Sequence, residues 1–355
     1  ERGGRDAWGR RQVRMCIRGR SVLLCGRVAV AGKRGSAPTL VLSRAAFGYH
    51  GNRGSALISW ILTVGWETFL AIMAVQATAT VMGALGFSNH LLAQIAALVL
   101  VVVLAAGSGI LGFDTIMKVQ TWITWATAAL TLVYLVLVAD KINFSVLAAR
   151  PAASSTAVLG AGCMLAVGFG FGWVNAAADY SRYLPRNAST RGVVGWTTFG
   201  ASLPVLVLVC FGVLLVGSSG AELSQKIGDD PIGALTTLLP TWFLIPFAVV
   251  AILGLVGGIV MDIYSSGLSL LATGVPVSRP VATAIDGTIM TLGTIVVVFF
   301  ADSFLTPFTA FLTTLGVVIA AWAGFMLADI AVRHKEYDDV DLFSPAGRYG
   351  SVNWG

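Results

Sequence analysis

The residues of this chain suited to chemistry are few, and they lie in its most apolar stretches. Gly160, Gly162, Gly168, Gly170 and Gly172 crowd one such stretch, which closes with Gly168-Phe169-Gly170-Phe171-Gly172-Trp173. Each glycine inside a helix costs about 1 kcal/mol relative to alanine, so this run makes a poor continuous helix. Two readings fit it. Small residues let membrane helices pack closely, or the helix unwinds and frees backbone groups for a ligand. Asp262 sits deep in another apolar stretch, where an acid is expensive and marks a function by default. The plainer reading is a helix-end acid neutralised by Arg279. Asn175 and Gln76 are further polar candidates, and Trp66 lies well inside its own stretch rather than at an edge. Glu67 points about 100° away from Trp66 on a helix. Asp179 and Arg182 fit a structural cluster at a helix end.

Other chemistries are poorly served. Cys16, Cys25, Cys163 and Cys210 form no Cys-x-x-Cys pair, and His50, His90 and His334 lie far apart. No metal site is expected. Neither a phosphate-binding Gly-rich loop nor a Gly-x-Ser-x-Gly elbow occurs, so ATP-driven transport and hydrolysis are not indicated. No nucleophile and base pair up, the chain reads as a non-enzyme, and no cofactor is implied.

The elements that must hold these residues are membrane spans. Of the 355 residues, 56% are hydrophobic and only 11% charged. A soluble domain carries about a quarter charged residues. The apolar blocks approach the ~20 residues that cross a bilayer core. Eight spans are predicted, near 55–84, 91–112, 119–139, 156–180, 192–217, 241–272, 281–301 and 303–330. An even number puts both ends on one side. Outside residues 1–54, eight basic residues fall on that side and three (Lys141, Arg150, Lys226) on the other. The positive-inside rule then makes both termini cytoplasmic, in a multi-pass plasma-membrane protein whose surroundings are lipid.

Residues 1–54 hold 12 of the 23 Lys and Arg, and the remainder is mildly acidic. Overall charge therefore indicates no nucleic-acid partner. Residues 13–32 are moderately apolar but contain Arg14, Arg18, Arg20 and Arg27. Each central arginine costs roughly 2.5–3.5 kcal/mol to insert, so this segment is not expected to span. Residues 1–37 are expected to be disordered, 38–334 to form a transmembrane domain of eight spans, and 335–355 to be a cytoplasmic loop or tail.

Four motifs carry a resemblance. They are Ser43-Arg44-Ala45-Ala46-Phe47-Gly48-Tyr49-His50-Gly51-Asn52 followed by Gly65-Trp66; Trp173 with Ala178-Asp179-Tyr180-Ser181-Arg182-Tyr183-Leu184-Pro185; Asp262-Ile263-Tyr264-Ser265-Ser266-Gly267-Leu268; and Asp341-Leu342-Phe343 through Gly347-Arg348-Tyr349-Gly350. In order and spacing they resemble the nucleobase–cation symporters, the purine–cytosine permease branch in particular, over residues 38 to 355. The resemblance implies an all-α polytopic membrane protein with an inverted-repeat transporter fold. That fold would be incomplete, holding helices three to ten of a twelve-helix pattern. It implies a secondary active permease that imports cytosine, purines or a related heterocycle with a proton or sodium. An amino-acid carrier of the same architecture and a non-functional fragment are the other readings.

What the resemblance implies for the site follows residue by residue. Two indoles can sandwich a flat base, each stacked contact contributing about 1–3 kcal/mol; Trp66 and Trp173 match the family's tryptophans. Gly170, Gly172 and Asn175 line the break, and Asp262 stands near the family's asparagine, as edge acceptor or as carrier of the coupled proton. Leu70 replaces the glutamine of the hydantoin branch. Val256 and Gly257 replace the Ser–Thr pair of sodium-coupled members, which favours proton coupling. With no span before Pro38, the glycine break is expected to lack its covering partner, and the chain as written is expected not to transport.

Overall fold

In the computed structural model, residues 20–110, 113–229, 231–301, 305–333 and 335–353 are described. They form helices and turns. The predicted spans correspond to α2 (Asn52–Ala84), α3 (His90–Ile110), α4 (Phe113–Val138), α5 (Ser155–Leu165) with its continuation to Val174, α6 (Thr190–Ser218), α7 (Leu244–Ala272), α8 (Arg279–Phe300) and α9 (Leu305–Val332). All but α3 meet the length and hydropathy needed to cross a bilayer among the described residues; the apolar part of α3 that qualifies, His90–Ala105, is shorter. Their starts follow local chemistry. Ser154 accepts from the Ala157 amide at 3.1 Å, and Ser189 from the Gly192 amide at 3.2 Å. Each satisfies an amide that the first helical turn leaves free. Pro280 stands in the first turn of α8, where its missing N–H costs nothing.

The central pair is α2 with α7, the most extensive helix contact, and α8 and α3 pack on both. Leu70 of α2 seats on Gly258, where an added Cβ would fall 2.8 Å from the leucine Cδ1. A second core forms around Leu40, Leu42, Leu312, Ile319, Trp322 and Met326.

The expectation that residues 1–37 are disordered is corrected for the part described. Arg20–Gly35 is helix α1, packed against α6, against Ala177–Ser181 and against the glycine break. Cys25, Val28, Ala29 and Ala31 are buried on its packed side. Gly26 and Gly32 set the approach: a Cβ on Gly26 would lie 2.8 Å from the Val194 carbonyl oxygen, and one on Gly32 2.8 Å from that of Ala178. The basic residues did not decide the outcome, because Arg27, Lys33 and Arg34 are each either exposed or have the charged end on backbone carbonyls. Arg27 is exposed. Lys33 Nζ donates to the Ala188 carbonyl at 2.6 Å, and Arg34 donates to the Arg333 and Lys335 carbonyls at 3.0 Å each. Long cationic side chains at a helix C-terminus reach carbonyls in this way. Arg14 and Arg18 lie outside the described residues.

Residues 335–353 are docked rather than free. The amides of Tyr49 and His50 donate to the carbonyls of Gly350 (3.0 Å) and Ser351 (2.8 Å), and Asn353 donates back to Phe47 (3.1 Å). Gly48 needs its φ of 84° here, since a Cβ would sit 2.7 Å from the Ser351 carbonyl. Arg44 lies over the Tyr49 ring at 4.4 Å and donates to the carbonyls of Leu342 and Ala272.

The seating of α1 can be tested directly. Gly32→Ala is expected to destabilise the detergent-solubilised protein by about 1–3 kcal/mol through overpacking, whereas Gly200→Ala, with open space around it, leaves thermal stability equal or higher.

Candidate functional site

The glycine run interrupts its helix. α5 ends at Leu165, residues Ala166–Phe171 wind as a π-helix, Gly172–Val174 form one short turn, and Ala177–Ser181 resume as a separate helix. The segment departs from α-helix, and of its glycines Gly172 packs closely, against Trp66, while Gly160 has open space beside it. The loosened backbone has partners. Cys25 Sγ of α1 donates to the Gly170 carbonyl at 3.3 Å. The expectation of an uncovered break is therefore corrected: α1, α2 and α9 supply its cover.

Trp66 reaches the break from α2. An added Cβ on Gly172 would be 3.3 Å from the indole nitrogen, so glycine there admits the ring. The same indole stands edge-on to Phe69 (5.7 Å, 89°) and Phe308 (5.1 Å, 77°). Its N–H is buried and unpartnered. One α-helical face carries Ser59 two turns before Trp66, and Ser59 Oγ accepts from Asn175 Nδ2 at 2.6 Å. Asn175 is 1% exposed, and its Oδ1 is also unpartnered. An unpaired donor and an unpaired acceptor thus flank the break, each costing roughly 1–3 kcal/mol while unmet.

Trp173 points elsewhere. It is 38% exposed and borders a cavity of about 350 Å³ with Cys25, Tyr180, Ser181 and Thr197. A second cavity, about 470 Å³, lies on the Trp66 side and is lined by Trp60, Gly65, Phe69, Phe308 and Phe311. The two tryptophans do not enclose one shared cavity in this conformation. Gly170 is buried within the π-helical turn. Gln76 carries a buried, unpartnered Oε1.

Asp262 is buried on α7. Arg279 does not neutralise it: its guanidinium lies over the Tyr264 ring at 4.7 Å. Asp179 and Arg182 do not pair either. Asp179 Oδ1 accepts from both the amide and the hydroxyl of Thr39 at 2.8 Å, fastening residues 38–42 to the broken helix. Arg182 donates to the hydroxyls of Tyr183 (2.8 Å) and Tyr264 (2.9 Å).

Sequence reasoning missed Asp286 and undervalued Glu67. Asp286 is fully buried on α8 and accepts from Trp60 Nε1 at 2.6 Å and Ser266 Oγ at 2.7 Å. Glu67 is fully buried, and both its carboxyl oxygens lack partners. Asp286 was visible as an acid seven residues into an apolar helix; its donors, from two other helices, were not. Trp60→Phe removes one of them and is expected to lower thermal stability by about 1–3 kcal/mol, read as melting of purified protein; an unchanged melting point would show that the bond carries no net stability.

A family model described as permease for cytosine/purines, uracil, thiamine and allantoin matches residues 17–355. Purine-cytosine permease fcyB of Emericella nidulans is 26% identical over 188 residues, covering 52% of this chain and 35% of fcyB. YxlA of Bacillus subtilis is 25% identical over 190 residues, covering 50% of this chain and 39% of YxlA. The matched stretch thus spans well under half the length of these curated relatives. Among solved structures, the transporter Mhp1, of the nucleobase-cation-symport-1 family, superposes in a closed, bromovinylhydantoin-bound conformation. The TM-score is 0.70 at 19% identity, covering 97% of this chain and 77% of Mhp1. Its inward-facing conformation gives 0.64 at 18% identity, covering 97% and 75%. The fold is therefore that of this transporter class over most of its length, and the match from residue 17 takes in most of the segment expected to fall outside the family.

Proposed function

The chain belongs to the family of permeases for cytosine/purines, uracil, thiamine and allantoin, and from that premise we propose that it imports a nucleobase such as cytosine or a purine by proton symport. The observation that carries this reading is the unpaired donor and acceptor at the break, Trp66 Nε1–H and Asn175 Oδ1. A nucleobase edge offers both complements, together with a flat face for stacking. Trp66 stands beside Gly172, while Trp173 borders a separate cavity in this conformation, so a base held at Gly170 and Gly172 would stack on Trp66 and meet the second indole only once Trp173 turns in. Asp262 would accept from a ring N–H or carry the coupled proton. Gly172 has no room for a larger side chain beside Trp66.

Proton coupling is favoured over sodium by the make-up of α7. Val256 is buried and apolar, and Gly257 packs on the Gln120 amide, its Cβ position 3.1 Å from Oε1. A hard cation takes oxygen ligands, and neither side chain supplies one. The charge asymmetry of the loops supports a plasma-membrane protein with both ends in the cytoplasm.

Two experiments test this. Trp66→Ala and Trp173→Ala should each weaken nucleobase binding by about tenfold or more, from the ~1–3 kcal/mol of a stacked base, with expression intact; an unaltered affinity removes that residue from the site. Single cysteines at Ser189 and Asp229 should react with impermeant reagent from opposite sides of the membrane, and labelling from the same side would overturn the topology.

A further inference from the structure

Three carboxyl groups meet where α2, α7 and α8 pack together, and their surroundings differ. Asp286 has two donors, one on each oxygen. Neither oxygen of Glu67 closes a hydrogen bond: the Ser266 hydroxyl that faces it donates to Asp286 instead, and Asp286 and Asp262 lie near enough to act on it. A carboxylate with no closed hydrogen bond and no counter-cation, in a membrane interior beside two further acids, is strongly disfavoured. A neutral carboxylic acid is the form these surroundings admit. Of the other elements packed on α2, α3 has His90 at its outer end as its one ionisable residue, and Pro231–Thr236 has none. α9 has Asp329, paired with Arg333 near the cytoplasmic end. No cation from these elements reaches Glu67, and among the described residues no group of His, Cys, Asp and Glu is arranged to hold a metal.

Glu67 is also the sequence neighbour of Trp66. One helix therefore presents an indole to the glycine break and, about 100° around, an acid to α7 and α8. Ser266 stands one turn from Asp262 on α7 and holds Asp286, so the three carboxyls share the contact between α2 and its two partners. A change of charge at Glu67 bears on the same packing that positions Trp66.

Resting on the permease reading, we infer that Glu67 is a second protonation site of the coupling machinery, in addition to Asp262. Its carboxyl takes one H⁺ from water while the base is bound and returns one H⁺ to water on the opposite side. No bond to the base forms, and nothing is oxidised or reduced. Protonation that accompanies binding makes affinity fall as pH rises, by up to about tenfold per pH unit for one proton.

The test has two readouts on the full chain in detergent or proteoliposomes. Dicyclohexylcarbodiimide, which adds to protonated carboxyl groups in apolar surroundings, should leave a mass-spectrometric adduct on Glu67 that fades as pH rises. Equilibrium binding of radiolabelled cytosine and hypoxanthine across a pH series should weaken with rising pH in the wild type. Glu67→Gln and Asp262→Asn should each keep only part of the slope, and the double variant should hold the low-pH affinity across the series within about twofold. Adducts confined to Asp262 or Asp286, or a wild-type pH profile in Glu67→Gln, overturns the inference. A wild type that binds neither base sinks the permease reading, and the coupling role with it, while the adduct on wild-type protein still decides whether Glu67 holds a proton. That measurement also stands if the variant fails to fold.

Discussion

A polar backbone group released inside a membrane must find its partner within the protein, because lipid offers none. The glycine run at 168–172 releases such groups, and much of the architecture can be understood as the answer to it. α1 places the Cys25 thiol on the Gly170 carbonyl. α2 brings an indole against Gly172, and Gly316 of α9 lets Val167 approach so closely that an added Cβ would lie 2.4 Å from its methyl. Thr39, held by Asp179, then locks the far side of the break to the segment that leads into α2. The break is structured by its neighbours, and what remains unmet is an indole N–H and an amide oxygen.

The same logic orders the buried acids. Three carboxylates cannot all be charged at one helix junction in low dielectric. Asp286 is hydrogen-bonded by an indole and a hydroxyl from two helices, and neither oxygen of Glu67 closes such a bond. The close packing that produces this difference comes from small residues on α7. Gly258 admits Leu70, and a Cβ added to Gly267 would lie 4.0 Å from both Asp286 Oδ2 and the Ala282 methyl. Trp66 and Glu67 share α2, which turns one face to the glycine break and another to the acids.

The membrane character, the positions of the spans, the departure from α-helix at the glycine run and the burial of Asp262 were legible in the sequence. These depend on short-range properties: apolar length, the helix cost of glycine, and the cost of an acid among apolar residues. The actual partners of Asp179, Arg182 and Arg279 were not legible, since nearness in sequence suggested partners that the folded chain assigns otherwise. Helix α1 was misread for a related reason. Its arginines were counted as charges to be inserted, whereas its packing depends on Gly26, Gly32 and the buried stripe that includes Cys25 and Val28, a pattern with meaning only beside α6 and Ala178.

Sequence alone determined that this chain crosses a membrane many times, that one helix breaks at Gly168–Gly172, and that its motifs are those of a nucleobase permease. Tertiary structure alone decided which polar atoms are satisfied. Trp66, Glu67, Asn175, Asp262 and Asp286 are five polar residues of similar standing in the sequence. Asp286 became an anchored acid, Glu67 was left with both oxygens unpartnered, and so were the Trp66 donor and the Asn175 acceptor. The physical reason is that a hydrogen bond is closed by helices far apart in the chain, so its presence or absence is a property of how they pack.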